Sequence, residues 1–183
     1  LNIRPLRRRA VMACRTWMLK RFCGSDGLGA IFPPIIWSIV ALRAMGCDDN
    51  SAEVVECWKQ LEGLLERQDD ETIRVEPCRS PVWDTAIALR GLAEIASPSA
   101  DSAGSMGNAV DWLLAREVRF AGDWSRRVQA VPSGWCFEYA NCYYPDVDDT
   151  AMVLIAFSAW LKQEKACADS QNDRVGYVKN AMH

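Results

Sequence analysis

Apolar positions recur at helical spacing, three and four residues apart, along nearly the whole chain, and no convincing run alternates with the period of two expected of a half-buried strand. The helical stretches fall into two kinds that follow one another as a weak repeat. One kind carries a tryptophan in mid-helix: Val11 to Phe22 with Trp17, Val54 to Arg67 with Trp58, and Asn108 to Arg116 with Trp112. The other is more apolar and opens at or just behind a proline: Pro33 to Met45, Pro81 to Ile95, and Asp146 to Leu161 after Pro145. Proline suits a first helical position because the N–H it lacks would be unpaired there anyway. Ser80, ahead of Pro81, is placed to cap its helix. A helix apolar on most sides must be buried, so the proline-opened helices are expected inside and the tryptophan-bearing ones outside. The alternation predicts an all-α chain, part of an α/α barrel (toroid) of inner and outer helices with the inner N-termini at one end of a cavity. A plain helical solenoid is the alternative.

Two of the inner helices share more than hydropathy. Pro81-Val82-Trp83-Asp84-Thr85-Ala86 aligns with Asp146-Val147-Asp148-Asp149-Thr150-Ala151, so that Trp83 falls opposite Asp148. Glycine–tryptophan loops lie between helices, at Gly122-Asp123-Trp124 and Gly134-Trp135. The small residues of 97–107 read as a linker, and the polar, acidic residues 68–76 as a domain junction before Pro77.

Composition narrows the chemistry. Half of the 183 residues are apolar, enough for a real core, and the net charge of −3 argues against a nucleic-acid partner. Residues 1–21 hold Arg4, Arg7, Arg8, Arg9, Arg15, Lys20 and Arg21 and no acid, which fits either a solvated helix face or contact with anionic lipid headgroups. The longest apolar run, Ala151 to Leu161, is well short of the roughly 20 residues of a membrane span, which leaves monotopic attachment open. The eight cysteines sit singly without a Cys-x-x-Cys pair and read as reduced thiols. The only histidine is His183, which disfavours a histidine-based metal site or a Ser/His/Asp triad. The chain opens inside a basic stretch without an initiator methionine and reads as an internal piece of a longer protein.

The sharpest feature is Asp146, Asp148 and Asp149 at the head of an apolar helix. Aspartate is common at helix starts for purely structural reasons. Here, however, three like charges sit between Tyr143-Tyr144-Pro145 and a strongly apolar run, so at least one proton should be retained and the cluster should titrate as one unit. A carboxylic acid held protonated at neutral pH is what alkene or epoxide protonation requires, because such a substrate is a very weak base. Aromatic faces complement it, since they stabilise carbocations without trapping them. Trp83, Phe137 and Tyr143 are placed for that role, whereas Trp135, Tyr139, Tyr144, Trp17, Trp58 and Trp112 read as packing.

At these residues the chain resembles the squalene–hopene cyclases. Pro145 to Ala151 is similar to their Asp-Val-Asp-Asp-Thr-Ala signature. Ser80 to Thr85, Gly122-Asp123-Trp124 with Gly134 to Asn141, and Gly29 to Pro34 resemble further segments in the right order. The resemblance implies two α/α-barrel domains in a monotopic, usually dimeric membrane enzyme without cofactor or metal. Residues 1–78 would belong to the smaller inserted barrel and 79–183 to the catalytic one. Asp148 would protonate the terminal double bond of squalene, flanked by Asp146 and Asp149, and hopene or hopanol would result. Trp83 and Phe137 would line the cavity, with Tyr143 and Phe32 as further substrate-binding candidates. Phe32 and Glu138 stand where the family often has glutamine, Leu28 replaces a repeat tryptophan and Glu117 a repeat glutamine. On this reading the activity belongs to the full-length protein, and the chain alone is inactive. Rival readings are a class II cyclase of another polyprenoid, a zinc prenyltransferase subunit, an α/α-barrel glycosidase, and a non-enzymatic helical module or inactive truncated cyclase.

Overall fold

The computed structural model describes residues 3–22, 25, 30–67, 72–95, 100–122, 124–127, 131–141, 143–166 and 178–182. Expectations attached to Cys23, Leu28, Gly29, residues 68–71, Ser97-Pro98, Asp123, Cys142, Cys167 and His183 lie outside the described residues. The described chain is mostly helical and divides into two compact units, Leu1–Arg79 and Ser80–His183. No helix among the described residues is long and apolar enough to cross a membrane.

The first unit holds α1 (Arg4–Phe22), α2 (Phe32–Ala44) and α3 (Ala52–Glu62). Its buried centre is Leu42, Val54 and Cys57, with Met18, Leu19, Phe22 and Ile39 packed around them. Arg15 Nη2 reaches Glu53 Oε1 at 2.7 Å and ties α1 to α3. Prolines open α2, and Gly46, at φ 91°, supplies the left-handed turn that ends it. Only one face of α2 is covered within this unit: Ile35, Ser38 and Leu42 are buried while Trp37 and Val40 are exposed. The expected helix from Val54 to Arg67 stops at Glu62. Residues Leu65–Arg67 (β1) instead pair antiparallel with Ile73–Val75 (β2), and Glu66 faces Arg74 across the pair. Each strand is three residues long and fully exposed, too short for a period of two to be visible in the sequence. Behind the hairpin, the Phe32 N–H donates to Pro77 O and the Arg79 N–H to Ala30 O, which returns the chain to the head of α2.

The second unit is built on α4 (Pro81–Ala93), α5 (Ala100–Leu114) and α6 (Val147–Ala166). Each helix contributes one stripe at the spacing expected of a packed face: Val82, Ala86, Leu89 and Ala93 from α4, Met106, Val110 and Leu113 from α5, and Val153, Ala156, Phe157 and Trp160 from α6. The helix α5 corrects the reading of 97–107 as a linker, because from Ala100 onward those small residues are helical. Glycine and serine lower helix propensity by less than about 1 kcal/mol per residue, and burial of Met106, Val110 and Leu113 outweighs that. Ser80 is not a capping side chain either: its Oγ donates to Asp84 Oδ2 at 3.0 Å rather than accepting a backbone N–H.

Candidate functional site

Between α5 and α6 the chain runs through a short 3₁₀ turn, Trp124–Arg127, and then a loop whose two ends are fastened together. The Asp146 N–H donates to Trp135 O at 3.0 Å, and Trp135 N–H to the Thr150 hydroxyl, also at 3.0 Å. Trp135 is fully buried, its indole N–H donating to Leu113 O at 2.7 Å and its ring meeting Phe157 edge to face. Trp135 therefore belongs to the core, as its sequence context suggested. Inside the loop, Asn141 Oδ1 accepts the N–H groups of Tyr143 and Tyr144, an Asx-type bend that turns the chain toward Pro145. The close approach at the base requires Gly134: a Cβ there would sit 3.0 Å from Thr150 Oγ1 and 3.2 Å from the Pro145 ring. Both neighbours are held, so Gly134→Ala should destabilise the protein by about 1–3 kcal/mol, read as a lower midpoint of chemical denaturation.

The three aspartates occupy different surroundings. Asp146 is the N-cap of α6, its Oδ1 accepting the Asp149 N–H at 2.8 Å, so the structural explanation for an aspartate at a helix start holds at this position. Asp148 is exposed in the first turn. Asp149 is 2 % exposed. Its pKa is raised from 3.8 to about 8, first by burial, then by the hydrogen bond to Asp146, then by the charges of Asp146, Glu138 and Asp148. The helix N-terminus opposes this by favouring a carboxylate, but that effect is worth at most about 1–2 kcal/mol and burial among like charges wins. The retained proton thus resides on Asp149 at neutral pH, beside an exposed Asp148.

This assignment has a consequence for stability. An unfolded aspartate ionises near 4, whereas Asp149 in the fold holds its proton up to about 8. Between those pH values folding takes up a proton, so the stability Asp149 contributes is highest below the unfolded pKa and falls until about pH 8. Asp149→Asn, neutral at every pH, should therefore gain stability over the wild type as pH rises from 5 and level off above 8, by on the order of 3 kcal/mol. Denaturant titrations at pH 5, 7 and 9 measure it, and an equal difference at all three would contradict it.

The aromatic candidates are distributed over the fold. Phe137 and Tyr143 lie half-buried in the clamped loop, and Trp83 is half-buried in the first turn of α4. Phe32 stands exposed at the head of α2 in the first unit. Tyr139 packs edge-on against Trp112, with ring centroids 6.3 Å apart, and is otherwise exposed. Two partners of the site were not singled out for such a role from sequence: Asn141, which shapes the bend, and Thr150, which anchors Trp135. Asparagine ahead of two tyrosines and a proline was the available signal for the first. No three His, Cys, Asp or Glu side chains among the described residues form a metal-binding group.

Comparison with known proteins adds an independent line. The profile of the squalene-hopene cyclase C-terminal domain matches residues 79–181, and that of the N-terminal domain matches residues 1–70. The chain is 37% identical over 158 residues to the squalene–hopene cyclase of Zymomonas mobilis, covering 82% of this chain and 24% of the relative. It is 36% identical over 174 residues to that of Bradyrhizobium diazoefficiens, covering 93% and 26%, and 33% identical over 159 residues to that of Alicyclobacillus acidocaldarius, covering 86% and 25%. The chain thus spans about a quarter of the length of the curated relatives it matches.

Proposed function

Because the chain belongs to the squalene–hopene cyclase family, we propose that it is the segment of a class II triterpene cyclase that carries the initiating acid, and that the intact enzyme converts squalene to hopene or hopanol. The observation that carries this reading is the buried, proton-holding Asp149 at the head of α6, hydrogen-bonded to Asp146 and adjacent to an exposed Asp148. In the proposed reaction the proton that the cluster retains is delivered through Asp148 to the terminal double bond of squalene. The π electrons form the new C–H bond, the O–H bond breaks, and a tertiary carbocation remains. Each further double bond attacks the cation before it, forming the rings in turn, until loss of a proton yields hopene, or capture of water and loss of one of its protons yields hopanol. Asp146 and Asp149 keep a proton in the cluster, and the N-terminal dipole of α6 stabilises the carboxylate left on Asp148. Trp83, Phe137 and Tyr143 offer π faces that stabilise the migrating charge, and Phe32 in the first unit is a further substrate-binding candidate.

The same reading places residues 1–78 in a smaller inserted barrel and 79–183 in the catalytic α/α barrel, within a dimeric, monotopic enzyme on the cytoplasmic side of a membrane. A hydrocarbon substrate that partitions into the bilayer favours such attachment, and the run of Arg4, Arg7, Arg8 and Arg9 at the start of α1, all exposed, fits an anionic lipid surface. Incubation of the full-length protein with squalene, followed by gas chromatography–mass spectrometry of extracted lipids, tests the proposal. A pentacyclic product is expected, and its absence from a folded protein would overturn the squalene assignment.

A further inference from the structure

The clamped loop holds one more carboxyl that neither caps the helix nor reaches solvent. Glu138 is 1% exposed. Its Oε2 accepts a hydrogen bond from Asn141 Nδ2 at 2.8 Å, and Asn141 is fixed in turn by the N–H groups of Tyr143 and Tyr144. The loop ends are tied to α6 through Thr150 and Asp146. Glu138 is thus held by Asn141 in a loop whose ends are fixed to α6. Its charge is felt on both sides: it helps burial push the Cys136 thiol to about 11, and it is one of three carboxyls that raise Asp149. Among the described residues, the ionisable groups acting on Asp149 are Asp146 at the cap, Asp148 beside it on α6 and Glu138 in the loop, all acidic.

We propose that Glu138 is a positioning residue of the acid cluster: a buried carboxyl, fixed by Asn141 in a loop clamped to α6, that holds the proton on Asp149 and so sets the upper pH limit for proton donation. Its catalytic consequence rests on the cyclase reading above, whereas its effect on the Asp149 proton does not. Glutamine has the same shape and can accept the same bond from Asn141 without the charge.

The test is a double-mutant cycle of Glu138→Gln and Asp149→Asn in the full-length protein, read in two ways. In denaturant titrations between pH 5 and 9, the stability gained by Asp149→Asn at pH 9 should be smaller in the Glu138→Gln background. In squalene turnover, the alkaline limb of the pH–rate profile should move about one unit lower in Glu138→Gln. An unchanged Asp149→Asn gain together with an unmoved limb would overturn the proposal and leave Glu138 a packing residue, whatever happens to the absolute rate. Should Glu138→Gln not fold, Glu138→Met, neutral and close in shape, carries the same expectations. If the wild type forms no cyclised product, the cyclase reading fails, and the stability cycle alone supports or overturns the role of Glu138.

Discussion

Asp148→Asn in the full-length protein should lower formation of cyclised squalene product by about 10³-fold, in the range expected when a positioned general acid is removed. Asparagine keeps the shape of the side chain, but its amide is far too weak an acid to protonate an alkene. Because Asp148 is exposed and the capping is done by Asp146, the variant keeps its fold and its denaturation midpoint. Asp149→Asn serves as the comparison. It removes the buried proton but leaves Asp148, the proposed donor, so it should slow turnover by less and flatten the pH dependence. Lipid extracts of the two variants, quantified by gas chromatography–mass spectrometry beside the wild type, decide between them. If product survives in Asp148→Asn and disappears in Asp149→Asn, the buried carboxyl is itself the donor.

Trp135→Ala has the largest expected effect on stability. The ring is fully buried against Phe157, and truncating a buried tryptophan costs about 3–5 kcal/mol through lost transfer energy and the cavity left behind. Leu113 O loses its indole donor as well, a further penalty of about 1–3 kcal/mol if it stays dry. Together these approach the whole stability of a typical domain. The expected outcome is a second unit that is unfolded or molten at 37 °C, seen as loss of near-ultraviolet circular dichroism. Trp135→Phe retains most of the ring volume but not the N–H, and should recover more than half of the loss.

Much of this organisation was legible in the sequence because the determining signals are local. Prolines at 33 and 81, and Asp146 after Pro145, marked three helix starts to within a residue or so. The retained proton was also foreseeable, since three carboxyls beside an apolar run cannot all ionise. Which of the three keeps it was not, because Asp148 and Asp149 are adjacent and chemically identical. Only the packing of the loop against α6 buries one and exposes the other. The same limit hid the first half of α5, Ala100 to Gly107, whose small residues obscure the continuation of the helix expected from Asn108. It also hid Ser80, whose hydroxyl had two acceptable partners and took the carboxylate of Asp84. Glu138 stood out in sequence as a departure from glutamine, but its burial depends on a bend made by Asn141 three residues later.

The fastening of the loop at Trp135 and Asp146 bears on how such a protein can diversify. A segment closed by its own ends behaves as a cassette whose seat is separate from its contents. Tyr139 and Ala140 at its outer bend are exposed, whereas Trp135, Thr150 and Asp146 carry the attachment. Mutations accumulating at the bend leave the seat intact, so the contour of the loop can drift under selection while its attachment to α6 stays constant. A protein engineer has the same freedom: a library confined to Tyr139 and Ala140 varies the exposed bend without a new solution for holding the loop in place.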